Sequence, residues 1–343
     1  MEQRKKNALI ASMMVIILFG AYLMMNSKEG IYSPDYLVTL EGSTMGTVYS
    51  IKYLDEQKRN FKTEIDSLLH EFNQSLSTYE EQSEISIFNL SDTMNFERPY
   101  FLPVLQKSKS IWKETSGAFD PTVMPLVNSW GFGPAGRAQP DSITVDSLLD
   151  LVGFDKIMFD SARVWKTKPN VQLDFSAIAK GYGVDVIANY LLTYDIRNLM
   201  VEIGGEVYCQ GKNARGQYWL IGIDNPEAEG IDDYLKARIS IKNRAVATSG
   251  NYRNFYTIEG NTYAHTISPF TGYPVQKEIL SASVFAPLCI EADGYATAFM
   301  VAGLEKAKEI LARRSDLDAY LIYRDEQDSL KTYYTKGVTE FIK

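Results

Sequence analysis

Cysteine and histidine are scarce in this chain of 343 residues, each occurring only twice. Neither cysteine, Cys209 or Cys289, follows the apolar run near the start, so anchoring through a lipidated cysteine is excluded. Both sit in apolar surroundings (VYCQ and PLCIE), where a disulfide in an oxidising compartment and a pair of buried thiols are equally compatible with the sequence. Basic excess is also lacking: 35 Lys and Arg stand against 43 Asp and Glu, a net charge of -8. Phosphate backbones are bound by clustered Lys and Arg, so a broad nucleic-acid surface is excluded. An anionic ligand must then be met locally, by a metal ion or by backbone amides. There is no internal repeat, no Pro/Gly-rich linker and no regular βαβ alternation.

What is present is the composition of a folded protein, 45% hydrophobic and 23% charged, enough apolar material to offset chain entropy. Arg4, Lys5 and Lys6 precede an uncharged stretch, Ala8 to Met25, of 18 residues. As a helix it would span about 27 Å, near the thickness of a bilayer's hydrocarbon core. Residues 1–27 are therefore expected to form a cytoplasmic stub and a transmembrane signal anchor, with the rest of the chain on the far side. A cleaved signal peptide is the alternative, disfavoured because Tyr22 to Asn26 offers no small-residue cleavage site. Residues 28–36 read as a tether and 37–343 as one α+β unit.

Within that unit, Val48 to Tyr53 alternates with the period of a strand. Phe61, Ile65, Leu68, Leu69, Phe72 and Leu76 recur at helical spacing. Further helices are expected over Val104–Ser116, ending at Gly117, over Ile178–Leu192, and over Ala292–Arg314 with a break at Gly303. Leu199–Ile203, Tyr218–Ile223 and Ala237–Thr248 read as strands.

Several segments carry chemistry. GFGPAG (131–136) has the spacing of a dinucleotide-binding glycine loop, but no strand precedes it and no apolar helix follows, so a surface loop is expected. Asp293 and Thr297, four residues apart, would share one helix face. Two hard oxygens in that arrangement suit Mg²⁺; they also suit an N-terminal cap. In LDFSAIAKGYGVD, Asp174 and Lys180 flank a glycine-bearing turn into a helix, a place to receive an anion or an ordinary helix start with Lys180 in solvent. His265, in YAHTISPFTGYPV, is a candidate for proton transfer, whereas His70 lies among acidic residues on a surface helix.

Eight stretches, GSTMGTVYSIKY, LSTYEEQSEISIFN, GAFDPTVMPLVNSWGFG, DFSAIAKGYGVD, VEIGGEVYCQG, ATSGNYRNFY, HTISPFTG and ADGYATAFMVAG, together resemble the ApbE family of FAD:protein FMN transferases, in the family's order and across nearly the whole folded region. The resemblance implies a single mixed α/β domain of T-fold-like type. It implies an FAD site lined by Met45, Tyr79, Ala118, Phe119, Asp120, Asp174, Lys180 and Ile267. It further implies Mg²⁺ held by Asp293, Thr297 and the backbone carbonyl of Ala177. Ala296 stands where some relatives carry a second aspartate, which bears on the number of metal ions. The implied reaction attaches FMN from FAD to a threonine of an acceptor protein and releases AMP, on the extracytoplasmic side of the bacterial inner membrane. An FAD pyrophosphatase and a non-catalytic flavin carrier are the alternatives.

Overall fold

The structure is a computed structural model describing residues 32–134, 140–228, 235–250, 255–258, 261–275 and 278–339. The apolar run Ala8–Met25 lies outside them, as does part of the GFGPAG segment. Among the described residues no helix is long and apolar enough to cross a membrane.

The strands in chain order are β1 (Leu37–Thr44), β2 (Thr47–Leu54), β3 (Thr93–Asn95), β4 (Ile157–Phe159), β5 (Arg163–Lys166), β6 (Leu199–Ile203), β7 (Glu206–Gln210), β8 (Trp219–Asp224), β9 (Leu235–Ile241), β10 (Arg244–Gly250), β11 (Phe255–Ile258), β12 (Asn261–Ala264), β13 (Ile279–Ala286), β14 (Asp318–Arg324) and β15 (Leu330–Tyr334). The α-helices are α1 (Lys62–Leu76), α2 (Glu84–Leu90), α3 (Phe101–Glu114), α4 (Met124–Ser129), α5 (Ser142–Leu149), α6 (Ala179–Thr193), α7 (Cys289–Ala302), α8 (Leu304–Arg313) and α9 (Lys336–Thr339).

Eight strands form one sheet in the order β1-β2-β6-β7-β10-β13-β14-β15, antiparallel at every pairing. Such a sheet needs no βαβ crossover, which is why that alternation is missing from the sequence. Strand period assigns neighbouring residues to opposite faces. In β14, Ala319 and Leu321 join the main core, while Tyr320 and Ile322 join a second cluster. Val284 and Phe285 of β13 divide in the same way. The main core lies between the sheet and the helices, with Ile65, Leu69 and Phe72 of α1 buried in it. The second cluster is covered by the β8–β9 hairpin through Trp219, Ile223, Ile239 and Ile241.

Two expectations are refined. The single strand read over Ala237–Thr248 is two strands, β9 and β10, in separate sheets. Between them Asn243 adopts a left-handed φ of +49°, a conformation Asn tolerates through its short polar side chain. Periodicity could not reveal that break, because both strands continue the apolar pattern. The break at Gly303 is present: its φ of +84° ends α7 and turns the chain into α8. Cys209 and Cys289 are buried free thiols.

Candidate active site

α6 and α7 pack side by side on the sheet, and their contact builds the site. Gly181 makes the close approach possible: a Cβ there would stand 2.3 Å from the carbonyl oxygen of Cys289 and 2.7 Å from Asp293 Cβ. Asp293, 3% exposed, lies a full turn inside α7 rather than at its start. It therefore does not cap its own helix. Its Oδ2 accepts the N–H of Gly181 at 2.9 Å, one of the first-turn amides of α6 that has no partner within that helix.

Ala177 lies just ahead of Ile178, the N-cap of α6, so its carbonyl takes no intrahelical bond. Among the described residues no backbone amide is donated to the Ala177 oxygen. One turn further along α7, Thr297 Oγ1 is 3.1 Å from Ser249 Oγ on β10. A carboxylate with Oδ1 in no hydrogen bond among the described residues, a hydroxyl and a carbonyl ahead of the helix make a hard-oxygen donor set. The three residues expected to hold Mg²⁺ fit such an ion.

Lys180 is half-buried rather than solvated, and its Nζ lies 3.2 Å from Glu206 Oε1. Burial by itself would lower its pKa, but the Asp293 and Glu206 carboxylates outweigh that and hold the ammonium above its ordinary value. Burial raises the pKa of Glu206, which is 4% exposed; the Lys180 ammonium opposes that rise and Asp293 adds to it. Glu206 closes the β6–β7 hairpin opposite Ile203. The turn residues Gly204 and Gly205 have φ of +60° and +104°. A Cβ on Gly204 would lie 2.8 Å from Thr47 Cγ2 and 3.4 Å from Lys180 Cδ, so the bare turn lets the hairpin tip rest on the lysine stem.

The other expected residues surround this centre. Met45, in the β1–β2 turn, reaches α6, where a Cβ on Gly183 would be 2.8 Å from Met45 Cε. Asp174 Oδ1 accepts from the amide of Ser176 at 2.8 Å and its hydroxyl at 2.5 Å, and burial raises its pKa. Its own N–H donates to Pro121 O at 2.8 Å, tying it to the Ala118–Asp120 segment. Tyr79 is 68% exposed, and its phenol pKa is raised by partial desolvation and by the charge of Asp174. An exposed aromatic ring beside that turn is available for stacking on a planar ligand.

Ala118, Phe119 and Asp120 are buried. Asp120 accepts from Thr122 N, Thr122 Oγ1 and Phe154 N at 2.9, 2.6 and 3.0 Å, so its carboxylate is occupied in holding the chain. Ile267 is buried with Leu126, Trp130, Val145 and Val152, and Trp130 Nε1 donates to Gly272 O at 2.7 Å. His265 stands half-buried two residues before Ile267. The bonds that assemble Asp293, Gly181, Lys180 and Glu206 do not run through it.

Sequence reasoning missed Glu206, Ser249 and Asp185 as individual residues. Each lies inside a stretch carrying the family resemblance, VEIGGEVYCQG, ATSGNYRNFY and DFSAIAKGYGVD. The only local signal was the Gly204–Gly205 turn immediately before Glu206.

The ApbE family model matches residues 45–321. The FAD:protein FMN transferase of Haemophilus influenzae is 39% identical over 90% of this chain and 91% of its own. That of Vibrio cholerae is 36% identical over 91% and 95%. Among solved structures, the flavin transferase ApbE from V. cholerae superposes with a TM-score of 0.80 over 89% of this chain and 99% of its own, at 36% identity. The apo Pseudomonas stutzeri flavinyl transferase ApbE reaches 0.79 over 89% and 96%, at 29% identity. With this fold, this order of motifs and these relatives, the chain belongs to the ApbE family.

Proposed function

We propose that this protein transfers FMN from FAD to a threonine hydroxyl of an acceptor protein and releases AMP. The observation that carries the reading is the meeting of α6 and α7, where the Gly181–Asp293 bond ties the carboxylate to the start of α6, next in the chain to Ala177 and to the Lys180 ammonium that feels its charge. In a chain with net charge of -8, that is the local anion site composition demanded.

In the proposed reaction the threonine oxygen attacks the phosphorus on the FMN side of the pyrophosphate. A new phosphoester forms, the anhydride bond breaks, and its electron pair leaves with AMP. His265 receives the hydroxyl proton. Transfer from an anhydride has a loose transition state, so positioning and charge neutralisation matter more than a strong base. Lys180 would pair with phosphate oxygens, Tyr79 would stack on a ring of the substrate, and the turn from Asp174 to Lys180 would orient the pyrophosphate against α6. Mg²⁺ on Asp293, Thr297 and the Ala177 carbonyl would supply charge neutralisation at the anhydride.

The apolar run Ala8–Met25 behind Arg4, Lys5 and Lys6 supports placing the enzyme in the inner membrane, with the catalytic domain outside the cytoplasm facing exported acceptors. The test is incubation of the full chain with FAD, Mg²⁺ and co-expressed envelope proteins. Fluorescent flavin bands that survive denaturing electrophoresis, with AMP released in equal amount, are expected. Free FMN with no labelled protein would identify a pyrophosphatase, and FAD bound without AMP release would identify a carrier.

A further inference from the structure

Glu206 is not among the residues that the family resemblance places in the site, yet its carboxylate is the most unusual polar group there. One oxygen, Oε1, faces Lys180 Nζ at 3.2 Å. The other, Oε2, is buried with no hydrogen-bond partner among the described residues, although a buried acceptor without a partner is costly. A core carboxylate in that state is retained for something other than stability. Lys180 also feels two anions, Asp293 and Glu206. Only one of them, Asp293, is a candidate metal ligand.

We infer that Glu206 is a positioning residue: it draws the Lys180 ammonium to the β6–β7 hairpin and so keeps it from pairing with Asp293 and displacing the divalent cation from that carboxylate. The hairpin is built for this. The turn at Gly204 rests on the Lys180 stem, and Glu206 follows it at the first position of β7. Without the Glu206 charge, Asp293 becomes the nearest anion for a half-buried ammonium that has lost its partner. The lysine and the cation then compete for one carboxylate.

This inference rests on the metal reading proposed above, and the test separates the two. Binding of Mn²⁺ alone to the FAD-free full chain is measured by titration calorimetry for the parent, Glu206→Gln, Lys180→Met and the double variant, with thermal melting to confirm folding. Glu206→Gln is expected to weaken Mn²⁺ by about 10- to 100-fold, the usual effect of removing a partner that supports a metal ligand. Lys180→Met is expected to recover most of that loss in the Glu206→Gln background while changing the parent far less, a non-additivity of about tenfold. In turnover, the Glu206→Gln defect should appear as a raised Mg²⁺ requirement, with kcat restored at high Mg²⁺. Unchanged Mn²⁺ affinity in Glu206→Gln overturns the inference, and so does strict additivity, which would mean that the two charges act on the cation independently. Should Glu206→Gln fail to fold, the same cycle is run with Glu206→Met, which removes the charge and the buried oxygens together, and is read in the same way. If Asp293→Asn also leaves Mn²⁺ binding intact, the metal reading itself has failed.

Discussion

The carboxylate of Asp185, near the middle of α6, accepts the amide hydrogens of Cys289 and Ile290, each at 2.8 Å. It thereby caps α7 from a neighbouring helix and sets the height at which Asp293 meets Gly181. Burial pushes the Asp185 pKa up to about 7 from its ordinary 3.8, against the pull of those two amides. The folded state thus holds the proton more tightly than the unfolded one. The contribution to stability is fully present below about pH 4 and is lost as pH rises through 7, with a slope of at most about 1.4 kcal/mol per pH unit. Thermal melting of Asp185→Asn from pH 4.5 to 8 is expected to show a shallower decline than the parent. The decline does not vanish, because Glu206 shifts in the same direction.

Gly181→Ala introduces a methyl 2.3 Å from a backbone oxygen that cannot rotate away. The two helices must separate, at a cost of about 1–3 kcal/mol typical of overpacking. Transfer activity should fall further than stability, because the same movement breaks the Gly181–Asp293 bond. Melting curves and AMP release measured on one preparation check both.

Asp293 accepts the Gly181 amide and, on the proposed reading, also supplies the charge for the metal; two substitutions separate these roles. Asp293→Asn keeps an oxygen for the Gly181 amide but removes the charge. It should melt near the parent and lose transfer by at least about 10²-fold, as when a charge-stabilising group is removed. Asp293→Ala also leaves a buried amide unpartnered, so an additional loss of about 1–3 kcal/mol in stability is expected by denaturant unfolding.

His265→Ala should bind FAD like the parent but transfer FMN about 10² to 10⁴ times more slowly, the usual range for losing a general base. Single-turnover AMP release at saturating FAD and acceptor is the measurement. Unchanged kinetics would remove His265 from the mechanism and leave deprotonation to solvent.

Much of this protein was legible in the chain itself. The spacing of Ile65, Leu69, Phe72 and Leu76 dictated α1, alternation dictated β2, and Gly303 dictated the break between α7 and α8, because these are local consequences of backbone geometry and side-chain polarity. The Asp293–Thr297 pair and the Asp174–Lys180 turn were also visible, since helix period alone aligns residues four apart. Only the tertiary structure could decide between their alternative readings. Whether Asp293 caps its own helix or another depends on where α7 begins, which Asp185 sets from 104 residues away. Whether Lys180 is solvated depends on Glu206, delivered by a separate hairpin. That the orphan first-turn amide of Gly181 finds an acceptor depends on a carboxylate 112 residues further on. Local pattern encodes which way a side chain faces; the charge or amide it meets is settled by long-range packing of antiparallel strands and two helices brought into contact at a glycine.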